Sequence, residues 1–227
     1  MGKREEIFAA FKSKSCVKQE VHAKTKEAFG LVREVLQSIA ADYKEYLDAL
    51  DHRVLISYKE EGEFGAVLGF GGDLLVFQMH SNVFSFDESN PIHQHSYIKQ
   101  NEARVFCGVI NVYNFLADSF RFNRENDMGF LVSRYFVNNE SHLFVEGKKE
   151  LGYKFADFAT QKVSKEILTE IIETSIQYAL NFDLYTPDFN KSQLVTVAQM
   201  KQLSKDQKTV TSKRLGFIMN ADTGKVK

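Results

Sequence analysis

Residues 53–86 read RVLISYKEEGEFGAVLGFGGDLLVFQMHSNVFSF. Short apolar runs alternate here with turns supplied by Gly62, Gly71, Gly72 and Asp73, the punctuation of consecutive strands. The links are too short for the crossover that a parallel pair needs. The stretch is therefore a meander, with Arg53–Lys59, Phe64–Phe70, Leu74–His80 and Asn82–Phe86 as successive antiparallel strands. Downstream, Arg104–Tyr113, Ser119–Asn123, Gly129–Asn138 and His142–Glu146 extend the pattern. The last two read as a hairpin turning at Asn138, Asn139 and Glu140, because asparagine tolerates positive φ. The expectation is an antiparallel sheet of about seven strands.

Helical periods flank this sheet. Residues 4–12 read as helix, and so do residues 17–50, where Val17, Val21, Ala28, Val32, Val35, Leu36, Ile39, Tyr43, Tyr46 and Leu50 recur near helical spacing. Gly30 interrupts the long helix at a cost of about 1 kcal/mol relative to alanine. After the sheet, Ile167, Leu168, Ile171, Ile172, Ser175, Ile176, Ala179 and Leu180 form a wide, mainly apolar stripe behind Ser164, an N-cap residue. Pro187 stops that helix. Residues 192–203 read as a shorter helix and Arg214–Met219 as a late strand. Helices at both ends can bury their stripes only on the intervening sheet. The expected architecture is α+β, one domain over 1–227. It has a helical segment at 1–50, the antiparallel sheet at 53–160, helices at 164–203 and a basic segment at 204–227.

Composition narrows the function classes. The chain of 227 residues is 44% apolar and 26% charged, with 20 Phe, 9 Tyr and no Trp, which implies an ordinary globular protein with a Phe-rich core. A net charge of −1 gives the whole molecule no long-range pull on nucleic acid or anionic membranes. The charge is uneven, however. Residues 200–227 carry seven basic and two acidic side chains, an excess of +5 that leaves −6 elsewhere. This segment is the place a nucleic acid would bind. The aromatic–arginine mixtures at Phe120–Arg124 and Arg134–Phe136 are the other stretches a nucleic acid could use, but the alternation of Phe120, Arg121 and Phe122 reads as a strand with phenylalanine on the core side and arginine in solvent. Cys16 and Cys107 form no CxxC and no disulfide framework, so a reducing, cytoplasmic compartment is expected. There is no signal-peptide core and no run near the ~18 apolar residues of a membrane helix.

Potential chemistry gathers at residues 80–102, HSNVFSFDESNPIHQHSYIKQNE. On an extended strand, His93 and His95 point the same way. Two imidazoles could then hold one metal ion, with His80 or Glu102 as a third ligand. Asp87 or Glu88 beside His93 or His95 would suit acid–base work. Cys107 lies in an apolar strand, where a thiol is an inert small hydrophobe. There is no GxSxG elbow, and the glycine-rich GEFGAVLGFGGD lacks the Lys-Ser/Thr ending of a phosphate-binding loop. No cofactor is indicated. The leading reading is a non-enzymatic binding or protein-interaction domain. The alternatives are a metal site on His80, His93, His95 and Glu102, and nucleic-acid binding through residues 200–227. Because the first helix has more apolar positions than one sheet face requires, self-association as a homodimer is also expected.

Overall fold

The computed structural model describes residues 2–182 and two short strands beyond them, Leu184–Tyr185 and Phe217–Ile218. Helix α1 (Lys3–Ala10), a π-helical turn (Phe11–Cys16) and helix α2 (Val17–Leu50) run on without a break in helical backbone angles. Strands β1 (Ile56–Glu61), β2 (Gly65–Phe70), β3 (Asp73–Phe84), β4 (Cys107–Leu116), β5 (Phe130–Asn138) and β6 (Leu143–Gly147) pair in chain order, every pair antiparallel. The link from β3 to β4 holds a 3₁₀ turn (Pro91–Gln94), helix α3 (Ser96–Gln100) and a second 3₁₀ turn (Glu102–Val105). Helix α4 (Ala117–Arg121) follows β4, α5 (Glu150–Lys154) follows β6, and α6 (Lys165–Leu180) closes the core. Ser164 caps α6, its Oγ accepting from the Ile167 amide at 3.3 Å. Strands β7 (Leu184–Tyr185) and β8 (Phe217–Ile218) pair in parallel.

The α+β meander is as expected, with six strands in the sheet where about seven were anticipated. Leu74–His80 and Asn82–Phe86 are one twelve-residue strand, β3. Its register against β4 shifts between Met79 and Val83, so a bulge stands where a turn was expected. Ser119–Asn123 belongs to helix α4, not to a strand. The Ala117 amide bonds the Gly72 carbonyl at the sheet's end, and the Phe122 amide then closes a helical turn on Asp118. Apart from Phe217–Ile218, the expected helix at 192–203, the basic segment 200–227 and the expected strand Arg214–Met219 lie outside the described residues. No helix among the described residues is long and apolar enough to cross a membrane.

Helices α2 and α6 lie together on one face of the sheet, with α2 touching β1 through β5. Val32, Leu36, Leu68, Phe77, Leu143 and Ile171 are fully buried between them. Each such side chain contributes roughly 1.5–3 kcal/mol. Thr25 of α2 packs directly on Gly108 of β4. A Cβ at residue 108 would overlap the Thr25 side chain, so only glycine fits under the helix. Helix length explains which part of α2 is used. Thirty-four residues span about 51 Å at 1.5 Å each, whereas six strands span about 24 Å between outer axes. Burial accordingly runs only from Val21 to Ile39. The expected stripe residues Tyr46 and Leu50 are exposed beyond the sheet, as are Ile7, Phe8 and Phe11 at the other end.

A groove on the sheet face opposite the long helices

Strand register arranges the opposite face of the sheet in rows. Val109, Phe136 and Phe144 are neighbours on β4, β5 and β6, and form an apolar row. Two residues along each strand, Gln78, Asn111, Arg134 and Glu146 form a polar row across β3 to β6. The next row holds Val76, Tyr113 and Leu131. Successive rows are about 6.8 Å apart, because same-face residues alternate along a strand.

The apolar row is covered by the link between β3 and β4. Tyr97, Ile98, Val105 and Phe158 pack with Cys107, Val109 and Phe136 into a second core. Phenylalanines dominate it. Phe136 and Phe144 stack at 4.6 Å and 10°. Phe86 leans on both, at 5.3 and 5.8 Å, and Phe158 meets Phe144 edge-on at 4.8 Å. Burial pushes the Cys107 thiol up, away from the reactive thiolate.

A polar clamp fastens this cover to the β5–β6 hairpin. The Tyr97 hydroxyl donates to Glu140 Oε2 and accepts from Asn138 Nδ2, both at 2.9 Å. Arg104 Nε donates to Glu140 Oε1 at 2.8 Å, and its Nη1 donates to the Tyr97 carbonyl at 2.7 Å. The guanidinium lies 4.2 Å over one face of the Tyr97 ring, and His142 stacks on that ring at 4.7 Å. Burial is the largest influence on the Tyr97 hydroxyl; the Asn138 hydrogen bond opposes it and Glu140 reinforces it, leaving the group pushed up to about 12. For Glu140, burial raises the carboxyl, but the hydrogen bonds from Arg104 and Tyr97 outweigh it and hold the group below its ordinary value.

Between cover and hairpin the polar row stays open, in a groove of about 870 Å³. One wall is Phe84, Phe86, Ile92 and His95; the other is Gly152, Ala156 and Phe158. The floor runs from Phe136 and Phe144 to Asn111, Arg134 and Tyr113, with His80 and Glu146 at its rim. Arg134 Nη1 donates to Glu146 Oε2 at 3.0 Å across the strands. A second cavity, about 460 Å³, lies at the sheet's other end beside Asp73, Asn114, Ser119, Asp127 and Phe130. There the buried Oδ1 of Asn114 has no hydrogen-bond partner among the described residues.

The histidine segment takes a different form from the extended strand imagined for it. Pro91 starts a 3₁₀ turn, and the Asn90 side chain caps it by accepting from the Ile92 amide. His93 Nε2 donates to the Phe86 carbonyl at 3.3 Å. His95 caps α3, its Nδ1 accepting from the Tyr97 amide at 3.4 Å. His80 Nδ1 accepts from the Asn82 amide at 3.0 Å, and its ring meets Phe84 edge-on. Asp87 is held low by the Ser89 hydroxyl and amide, a local turn. Glu102 is exposed at the start of the second 3₁₀ turn. The fold thus brings His80 and His95 to one groove, whose lining includes neither His93 nor Glu102. Among the described residues, no three His, Cys, Asp or Glu side chains converge to hold a metal ion.

Comparison with family models, with curated proteins and with solved structures returns no match to this chain.

Asn111, Tyr113 and Glu146 were not legible as groove residues, and Arg134 stood out only as part of an aromatic–arginine mixture. One signal for the site was present: Tyr135–Phe136–Val137 and Leu143–Phe144–Val145 are apolar at consecutive positions. A strand with only one covered face alternates instead.

Proposed function

We propose that this chain is a non-catalytic binding protein that holds a small organic ligand in the groove on the sheet face opposite α2 and α6. One observation supports this above the rest. A face left open by both helices is walled on two sides, and the space of about 870 Å³ combines an aromatic floor with a polar row. Small-ligand sites commonly measure roughly 300–1,000 Å³, mostly apolar with a few placed polar groups. The clamp at Tyr97, Arg104 and Glu140 fixes one wall, and a prearranged site loses less entropy on binding.

Asn111 stands in the middle of the floor, so Asn111→Trp fills the groove. The chain has no tryptophan of its own, and the new indole also reports on its surroundings. Anilinonaphthalene sulfonate should bind the wild type saturably and bind Asn111→Trp about tenfold or more weakly, a change of 1.4 kcal/mol or more, with the unfolding midpoint unchanged. Equal affinity for the two proteins refutes the assignment.

A further inference from the structure

Resting on that reading of the groove, we infer that its ligand is an amphiphilic carboxylate, with the apolar body against Phe84, Phe86 and the uncovered edge of Phe144 and the carboxylate on Arg134. Three observations lead there. The apolar and polar rows are adjacent, so a ligand lying along the strands crosses from phenylalanine to arginine within about 7 Å, two residues of strand. The groove lining also carries ring N–H donors. Because His80 and His95 each accept a backbone amide at Nδ1, each neutral ring carries its proton on Nε2. Arg134 uses Nη1 on Glu146, and its remaining N–H groups, like the Asn111 amide, make no hydrogen bond among the described residues.

The third observation is charge. Arg134 is the one arginine or lysine in the groove lining among the described residues, and its planar fork matches a carboxylate in two-point geometry. Glu146 holds the guanidinium at the groove rim by a single bond, which leaves the rest of the fork for a ligand. A cationic head on the Glu146 carboxylate would crowd the like-charged Arg134 guanidinium, which already lies 3.0 Å from it. A neutral head would leave the fork unused.

Calorimetric titration of the full chain with dodecanoate below its micelle concentration and with dodecanol below its solubility limit tests the assignment. Dodecanoate should bind about tenfold tighter than dodecanol, the worth of one charge-assisted contact. Arg134→Gln should erase that difference and leave dodecanol binding as it was. Glu146→Gln, which frees the fork, should tighten dodecanoate binding; a residue acting only in folding would not produce this gain. If dodecanol binds as well as dodecanoate, or if Arg134→Gln preserves the preference, the carboxylate assignment fails while the groove stands. If neither amphiphile binds, or if Asn111→Trp weakens neither, the groove reading itself falls.

Discussion

Glu140 takes one hydrogen bond from Arg104 and another from Tyr97, both belonging to the segment that walls the groove. Its carboxylate is half-buried, and removing its charge leaves Arg104 and the Tyr97 hydroxyl facing a weaker acceptor. Glu140→Gln should therefore cost about 1.5–3 kcal/mol in urea unfolding at neutral pH, the range for hydrogen bonds to charged groups. The sign of the pH dependence follows from the lowered carboxyl. The folded state holds this proton less tightly than the unfolded chain does. The stabilisation is complete above the unfolded carboxylate value, about 4.3, and is lost as pH falls through the lower folded one. The gap between wild type and Glu140→Gln should close on acidification; a gap that persists at low pH would show that packing, not charge, is responsible. The histidines carry the opposite lesson. Their clustering at residues 80–95 was legible, but their roles were not. His80, His93 and His95 each satisfy a nearby backbone group, and local partners are invisible to any rule of ligand spacing.

At the scale of elements, the helical stretch from Lys3 to Leu50 is about three times as long as the sheet is wide, and only its middle is held. No residue of Lys3–Cys16 is buried. Deleting residues 2–16 should leave the unfolding free energy within about 0.5 kcal/mol of the wild type, as for surface changes generally. A loss above 1 kcal/mol would show that Ile7, Phe8 and Phe11 are covered in solution. Periodicity found α2 and α6 because long apolar stripes average over many residues. It misread Ser119–Asn123 because five residues fit either period. Phe120 and Phe122 alternate as on a strand, yet Asp118 and Ser119 are the residues buried, and Phe120 sits exposed against Phe115. A bulge likewise cannot be told from a turn in Ser81–Asn82, since both suit small polar residues.

For the whole molecule, near-neutral charge and the groove point the same way. Neither the full chain nor a form lacking residues 200–227 should bind single-stranded RNA at about 50 mM salt, where phosphate contacts are strongest. Binding that weakens steeply with salt and vanishes on truncation would shift the function from the groove to the basic segment. The sequence by itself determined the meander, the two amphipathic helices and their burial on the sheet, since each depends on period, turn chemistry and short links within a few residues of one another. Tertiary structure alone decided which face the helices would leave open and what would wall it. Arg134, Asn111, Glu146 and Phe144 come from three strands and meet only through register, and the cover over Phe136 is fastened by Arg104 and Glu140, 36 positions apart in the chain. Local pattern carries no information about such pairs, because the free energy that selects them comes from packing between distant segments.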